Sequence, residues 1–228
     1  MAFYKLYYKY RRWRYQSKAQ GTALQSLYEQ PTIELNQRFE DTRFLVVDCE
    51  MSGLDSKKCQ LLSIGWVVIE HGRIINSSGK HLLIHADRGT GDSGRIHGLV
   101  DSRIAGASSA ATVLMLLSKQ IKDSVLVFHH APLDMKFLQM ASIENFRCPL
   151  IFSYVDTMEI ERRRMQLQGK TSSLRLSQSR QRYGLVDGAQ HNALADAQAT
   201  AELFLAQVSY LKVGQKLSLS ELKLSCAH

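Results

Sequence analysis

No window of this 228-residue chain holds the eighteen or so uninterrupted apolar side chains that a membrane span needs. Its start has no secretory apolar segment, so the cytoplasm is the expected location. Cysteine is scarce and scattered: Cys49, Cys59, Cys148 and Cys226 form no C-x-x-C pair. Reduced thiols are expected, and a zinc site is not. Acid is missing from the beginning of the chain, where Lys5, Lys9, Arg11, Arg12, Arg14 and Lys18 all precede the first carboxylate, Glu29. The chain carries 29 basic and 21 acidic residues, a net +8. Six of the cations lie in that arm, so the remainder is close to neutral at +2 (8 minus 6). A polyanionic partner would meet the arm first.

The length, with 45% hydrophobic and 22% charged residues, suits one α/β domain that buries a full core and carries an appendage. Residues 1–42 form the basic and aromatic extension, 43–210 the domain and 211–228 a short tail. In the extension Tyr4, Tyr7, Tyr8, Tyr10, Trp13 and Tyr15 interleave with the cations. Such rings can stack on bases while Lys and Arg neutralise phosphates. The preferred reading is an amphipathic helix that packs Leu6, Tyr10 and Trp13 on the domain. A mitochondrial presequence is disfavoured, because Ser and Ala are almost absent before Ser17.

The chain is organised around Phe44-Leu45-Val46-Val47-Asp48-Cys49-Glu50-Met51-Ser52-Gly53. Its apolar run predicts a strand buried on both faces, ended by a Ser-Gly turn. Side chains alternate along a strand, so Asp48 and Glu50 point to one side at its carboxyl end. Two adjacent carboxylates repel, and a divalent cation between them removes that cost. Leu61 to Ile69 predicts a second strand, and Ile74 to Ile84 supplies a third after the His71-Gly72 turn, giving an antiparallel edge. Gly89-Thr90-Gly91-Asp92-Ser93-Gly94 matches G-x-G-x-x-G, but no helical period follows it, so a loop is expected and not a dinucleotide site.

Ala110 to Ile121 predicts a helix, and Val125 to Phe128 a buried strand. Pro132 then suits the first turn of another helix, placing Asp134 in that turn beyond the strand's carboxyl end. Leu150 to Val155 predicts one more strand. Asp156 with Glu159 looks like a capping box. Arg162, Arg163 and Arg164 read as a solvated face, with Lys170, Arg175, Arg180 and Arg182 following. In the last helix Leu194, Ala197, Ala201, Phe204 and Val208 make an apolar stripe beside Asp196. His191, five residues earlier, is expected to lean over the same cleft from the loop or first turn. Asp48, Glu50, Asp134 and Asp196 thus fall at one end of the sheet. Oxygen-only ligands select Mg²⁺ or Mn²⁺. Two such ions can stabilise the attacking and leaving oxygens of a phosphoryl displacement, with a neutral His taking the proton from water.

With these residues in view the sequence resembles the DEDDh, or DnaQ-like, 3′–5′ exonucleases. Asp48-Cys49-Glu50-Met51-Ser52-Gly53 matches the family's first motif. His129-His130-Ala131-Pro132-Leu133-Asp134 keeps the acid of the second, with His130 in place of Asn and Leu133 in place of Phe. His191-Asn192-Ala193-Leu194-Ala195-Asp196-Ala197 matches the third in full, and His97-Gly98-Leu99 and Asp156-Thr157 resemble further family features. Asn192 stands where the family's tyrosine branch has its Tyr. The resemblance implies a ribonuclease H-like α/β fold: a mixed central sheet with three antiparallel edge strands, flanked by helices. It also implies a metal held by Asp48, Glu50 and Asp196, with Asp48 bridging to a second ion and Asp134 acting on that ion through water. His191 is then the general base, and Met51, Ser52, Leu54, His97 and His130 are the candidate substrate contacts.

The implied partner is the 3′ end of single-stranded nucleic acid, DNA foremost, and no membrane. Alternatives are an RNA exonuclease of the ribonuclease T or oligoribonuclease type, and a binding module without catalysis. Within the family the chain looks closest to the proofreading epsilon subunit of bacterial DNA polymerase III and its stand-alone relatives. Only some eighteen residues follow Tyr210, against a longer polymerase-binding tail in the epsilon subunit, so a free-standing enzyme is expected.

Overall fold

The computed structural model describes residues 2–86, 106–186, 192–211 and 216–227. Six strands form one sheet in the order β3-β2-β1-β4-β5-β6. They are β1 (Arg43–Met51), β2 (Leu61–Glu70), β3 (Arg73–Leu83), β4 (Ser124–Phe128), β5 (Ser153–Asp156) and β6 (Ser225–Cys226). β1, β4 and β5 are parallel, while β2, β3 and β6 run antiparallel to their neighbours. The antiparallel edge read from the His71-Gly72 turn is there. His71 and Gly72 both take positive φ, which a two-residue turn matched to strand twist requires.

The helices are α1 (Ala2–Ala19), α2 (Gln25–Glu29), α3 (Ala110–Ile121), α4 (Ala131–Phe146), α5 (Thr157–Leu167), α6 (Leu176–Gln181) and α7 (Ala193–Leu211). Side chains leave a sheet alternately on two faces, and two cores result. Leu45, Val47, Leu126 and Phe128 pack on one face with α3 and α4. Phe44, Val46, Val125 and Val127 pack on the other, where Phe44 meets Phe204 of α7 edge-on at 5.2 Å. The sheet is therefore covered on both sides, as its runs of buried residues require. None of the described helices is long and apolar enough to cross a membrane.

Three expectations are corrected here. The strand read from Leu150 begins only at Ser153, although Leu150, Ile151 and Phe152 are buried. Continuous apolarity signals burial, and it does not separate a strand from an irregular buried entry. Glu159 does not complete a capping box with Asp156; it pairs with Arg162 and Arg163. The third correction concerns α1. Its buried residues are Tyr8, Arg11 and Ala19, whereas Leu6, Tyr10 and Trp13 face solvent. Arg11 lies with its stem inside and donates from Nη1 to the Ala227 carbonyl at 2.7 Å. A long cation can line a core when its head finds an acceptor, which a hydrophobic pattern does not register.

Arg164 likewise turns inward. Glu161 is fully buried and accepts from Arg164 (2.8 Å), Arg182 (2.7 Å) and the Tyr183 hydroxyl (2.8 Å). Burial alone would raise this carboxyl, but the three donors outweigh it and hold it below its usual range. That network staples α6 and the residues after it to α5.

Candidate metal centre

β1 outruns its parallel neighbour. The last β1–β4 pair is Val46↔Val127, so Asp48, Cys49 and Glu50 project beyond it. On the other side β1 stays paired with β2, placing Asp48 opposite Gly65 and Glu50 opposite Ser63. The two acids share one side of the strand by alternation, as predicted.

The first turn of α7 rests on Gly65. A Cβ at that position would collide with the carbonyl carbon and oxygen of Ala193 and with the Leu194 nitrogen. Only glycine lets the helix start lie directly against the strand. Asn192 begins that turn: its Oδ1 accepts from Leu194 N at 3.1 Å and Ala195 N at 3.3 Å. Asp196 N donates to the Asn192 carbonyl at 2.9 Å, so Asp196 follows one turn later. One carboxylate oxygen each from Asp48, Glu50 and Asp196 lies within 4.8 Å of the other two.

Asp134 stands beside this trio in a different role. It sits buried in the first turn of α4, and its Oδ1 accepts from the Cys49 backbone N–H at 3.0 Å. Where β4 has already turned into α4, that carboxylate supplies the acceptor a neighbouring strand would have given.

Electrostatics follow from this crowding. Burial first, then the charges of Asp134, Asp196 and Glu50, push the Asp48 carboxyl well above its ordinary range. Burial likewise lifts Asp134 to about 8, against the pull of its hydrogen bonds with Cys49. Negative charge gathered where Glu50 is buried and Asp48 and Asp196 are half-buried is costly without a cation. The donors are carboxylate oxygens, the set that suits a hard divalent ion, so these residues fit the metal that the sequence implied.

The junction after β4 is built to hold α4 in place. Asp156, at the end of β5, accepts from His130 N at 3.0 Å, Ala131 N at 3.1 Å and Met158 N at 2.9 Å. One carboxylate therefore caps the starts of both α4 and α5, where the helix dipoles favour negative charge. His130 adopts φ 76°, a left-handed conformation in which Asn is among the favoured residues. His129 is structural: its Nε2 lies 2.9 Å from the Leu174 carbonyl and its Nδ1 2.8 Å from Thr157 Oγ1. A carbonyl only accepts, so Nε2 carries the proton. Burial keeps the ring below the usual imidazole value.

Of the remaining candidates, Leu54 projects into solvent at 78% exposure, whereas Met51 is buried in the core beside α4. Ser52 closes its own loop, donating from N to the Gln60 carbonyl and accepting from Gln60 N on its hydroxyl. His130 is exposed at the mouth of α4. His97, His191 and the Gly89–Gly94 run lie outside the described residues. Sequence reasoning missed Gly65 and the helix-starting role of Asn192. The signal was an isolated glycine inside an otherwise continuous apolar strand, which marks close backbone approach.

Comparison with known proteins agrees with this geometry. A family model described as Exonuclease matches residues 45–204. The chain is 30% identical over 186 residues to the PolC-type DNA polymerase III of Thermotoga maritima, which covers 81% of this chain and 13% of that protein. Its counterpart from Thermotoga petrophila is 28% identical over 192 residues, covering 84% and 14%. The chain thus spans about one-seventh of the length of these curated relatives. Among solved structures, the nuclease domain of 3′hExo, a DEDDh family member bound to rAMP, matches with TM-score 0.62 at 13% identity, covering 78% of this chain and 98% of that one. Exonuclease X in complex with 5′-overhanging duplex DNA matches with TM-score 0.60 at 18% identity, covering 78% and 97%. The six-stranded mixed sheet with flanking helices thus matches the ribonuclease H-like fold of these exonucleases. With acids of β1 and α7 gathered at one end of the sheet and the family model spanning most of the domain, the chain belongs to the exonuclease family.

Proposed function

We propose that this protein is a divalent-metal-dependent exonuclease that removes nucleoside 5′-monophosphates from the 3′ end of single-stranded DNA. The observation that carries this reading is the convergence of Asp48, Glu50 and Asp196 over Gly65. In this reading Asp48, Glu50 and Asp196 would hold the divalent ions, Mg²⁺ or Mn²⁺, with Asp134 beside them as a further acid of the site. When bound, these ions would supply the positive charge that stabilises the attacking and leaving oxygens of an in-line displacement.

The chain's own residues do the rest. A strand and a helix start hold the acids in place before substrate arrives, and Asp134 steadies the projecting end of β1. His191 takes a proton from the attacking water as the new oxygen–phosphorus bond forms. The phosphorus–O3′ bond breaks, and the 3′ oxygen leaves with the electron pair and takes a proton from solvent water. Leu54, exposed just after β1, is the residue assigned in this reading to wedge against a terminal base. DNA is preferred because curated relatives alike in sequence are named as DNA polymerases and Exonuclease X was solved with DNA.

The test is digestion of 5′-labelled DNA and RNA of matched sequence, with Mg²⁺ or Mn²⁺ and a chelator control. The expected result is a ladder shortening from the 3′ end of the DNA, faster than for RNA and abolished by chelator. Faster shortening of RNA would transfer the substrate to that class. Inertness of both polymers with either ion would remove the catalytic reading.

Metal dependence has a second readout in stability. Asp48 and Asp134 have folded-state values raised above the ordinary 3.8, Asp134 to about 8. A raised carboxyl contributes stability that is fully present below its unfolded value and is lost as pH rises through the folded one. The metal-free protein should therefore lose thermal stability between about pH 4 and pH 8 on account of these groups. Added Mn²⁺ should raise the melting temperature more at pH 8 than at pH 6, measured by scanning calorimetry with Asp48→Asn as control. Equal shifts at both pH values would contradict the assignment.

A further inference from the structure

The outward face of α1 has no function in the site described above. Leu6, Tyr10 and Trp13, spaced four and three residues apart, are 67%, 53% and 73% exposed. At ~100° per residue these three lie within one narrow stripe, and Lys9 and Arg14 fall on its two sides. Both cations are exposed, and the Tyr10 and Trp13 rings lie 6.2 Å apart at 40°. The opposite face of the helix is fixed to the domain. Tyr8 and Ala19 are buried, Arg11 is bonded to Ala227, and Arg12 donates to the Gln30 carbonyl at 2.7 Å. The helix is thus firmly seated, and a stripe of rings between cations points away from the protein.

Its place in the fold is defined by its neighbours. Ala227 N donates to the Phe152 carbonyl just before β5, and Asp123 N, just before β4, donates to the Gln30 side chain. α1 therefore lies at the end of the sheet where the parallel strands begin, opposite the end that carries Asp48. Asp48 is the sixth residue of β1, so some 20 Å of strand and the ~10 Å breadth of a helix separate stripe and acids, roughly 30 Å in all.

We infer that this face of α1 is a second nucleic-acid-binding surface, which holds the strand whose 3′ end is in the acidic cleft. The inference rests on the nuclease reading and deepens it. Lys9 and Arg14 complement phosphates, and Tyr10 and Trp13 offer rings on which bases of any sequence stack. An anionic lipid surface fits less well. The stripe has one aliphatic side chain, one of its two rings carries a hydroxyl, and Ser17 follows one turn later, which leaves little apolar area to enter a bilayer. A separation of roughly 30 Å corresponds to about nine nucleotides in a single strand whose bases stay stacked at ~3.4 Å, and to fewer in an extended one. Shorter oligomers reach only the cleft; longer ones reach both surfaces.

The experiment compares the full-length protein with Tyr10→Ala/Trp13→Ala and Lys9→Gln/Arg14→Gln double variants. Because the changed side chains are exposed, unchanged melting temperatures are expected. Binding and 3′ shortening are measured on single-stranded DNA of about 3 and about 30 nucleotides. Each variant should bind the longer DNA at least about tenfold more weakly while handling the shorter one like the parent. The charge variant should also lower the slope of log affinity against log salt by about 1.4, two phosphates at ~0.7 each. Parent-like binding of the longer DNA by both variants would overturn the inference. So would loss of binding to phosphatidylserine vesicles with DNA affinity unchanged, which would assign the face to a lipid surface. A parent protein that binds both oligomers with the expected length dependence and shortens neither would reject the nuclease reading alone and leave this surface standing.

Discussion

Asp48→Asn is expected to reduce 3′ shortening on the order of a thousandfold while raising the melting temperature of the metal-free protein. The activity loss follows from its central place among the acids: it faces Glu50 and Asp196 within the 4.8 Å cluster, and burial, then the neighbouring acids, raise its carboxyl. Removing a group that holds transition-state charge costs about 4 kcal/mol, which is that thousandfold. The stability gain has the opposite origin. Without metal, half-buried Asp48 stands among like charges, and an amide of the same size relieves that repulsion, a gain on the order of 1 kcal/mol. A residue with a merely structural role would lose both quantities together. Rates on labelled DNA and calorimetry in the presence of a chelator would separate the two cases, and full activity in the variant would end the assignment.

Gly65→Ala is the second large effect, although Gly65 carries no functional group. Its added methyl would overlap backbone atoms of Ala193 and Leu194, which cannot swing aside as a flexible side chain could. Either α7 lifts off the strand or β2 bends, at a cost of roughly 1–3 kcal/mol. The helix start carries Asp196, so a shift of about 1 Å there should lower activity roughly a hundredfold. Mn²⁺ affinity by calorimetry should fall in parallel. Gly106→Ala is the control: a methyl there meets nothing within 4 Å, and parent-like behaviour is expected. A fully active Gly65→Ala would show that the helix start has room to spare and that the site does not depend on this contact.

Much of this architecture could be read from the residues because local and long-range signals agree. α3 spans Ala110–Ile121 as the apolar period demanded, and Ser109 accepts from Thr112 N at its start, a cap of the kind that fixes helix boundaries. Asp48 and Glu50 were placed on one side of a buried strand by alternation alone. What stayed hidden depends on partners distant in the chain. Asp156 looked like the cap of one helix and serves two, because the start of α4 comes from 25 residues earlier. The face of α1 was misassigned because rings outrank an arginine on any hydrophobic scale, while the decisive contact is a hydrogen bond from Arg11 to Ala227, 216 positions away. β6, two residues long, pairs with β5 from the far end of the chain and has no period to detect. Gly65 was visible as a letter but not as a contact, since only the docked helix shows what the absent side chain makes room for.

The resting place of α7 on Gly65 also bears on when the enzyme first becomes active during its own synthesis. Two of the clustered acids emerge from the ribosome well before the third, which arrives with a helix that ends at Leu211. The antiparallel strand pairs are local and can form as soon as they are made, but the cation pocket closes only when the last long helix docks. A nascent chain therefore carries an incomplete and inert cleft, and nuclease activity switches on only once nearly the whole domain has been made.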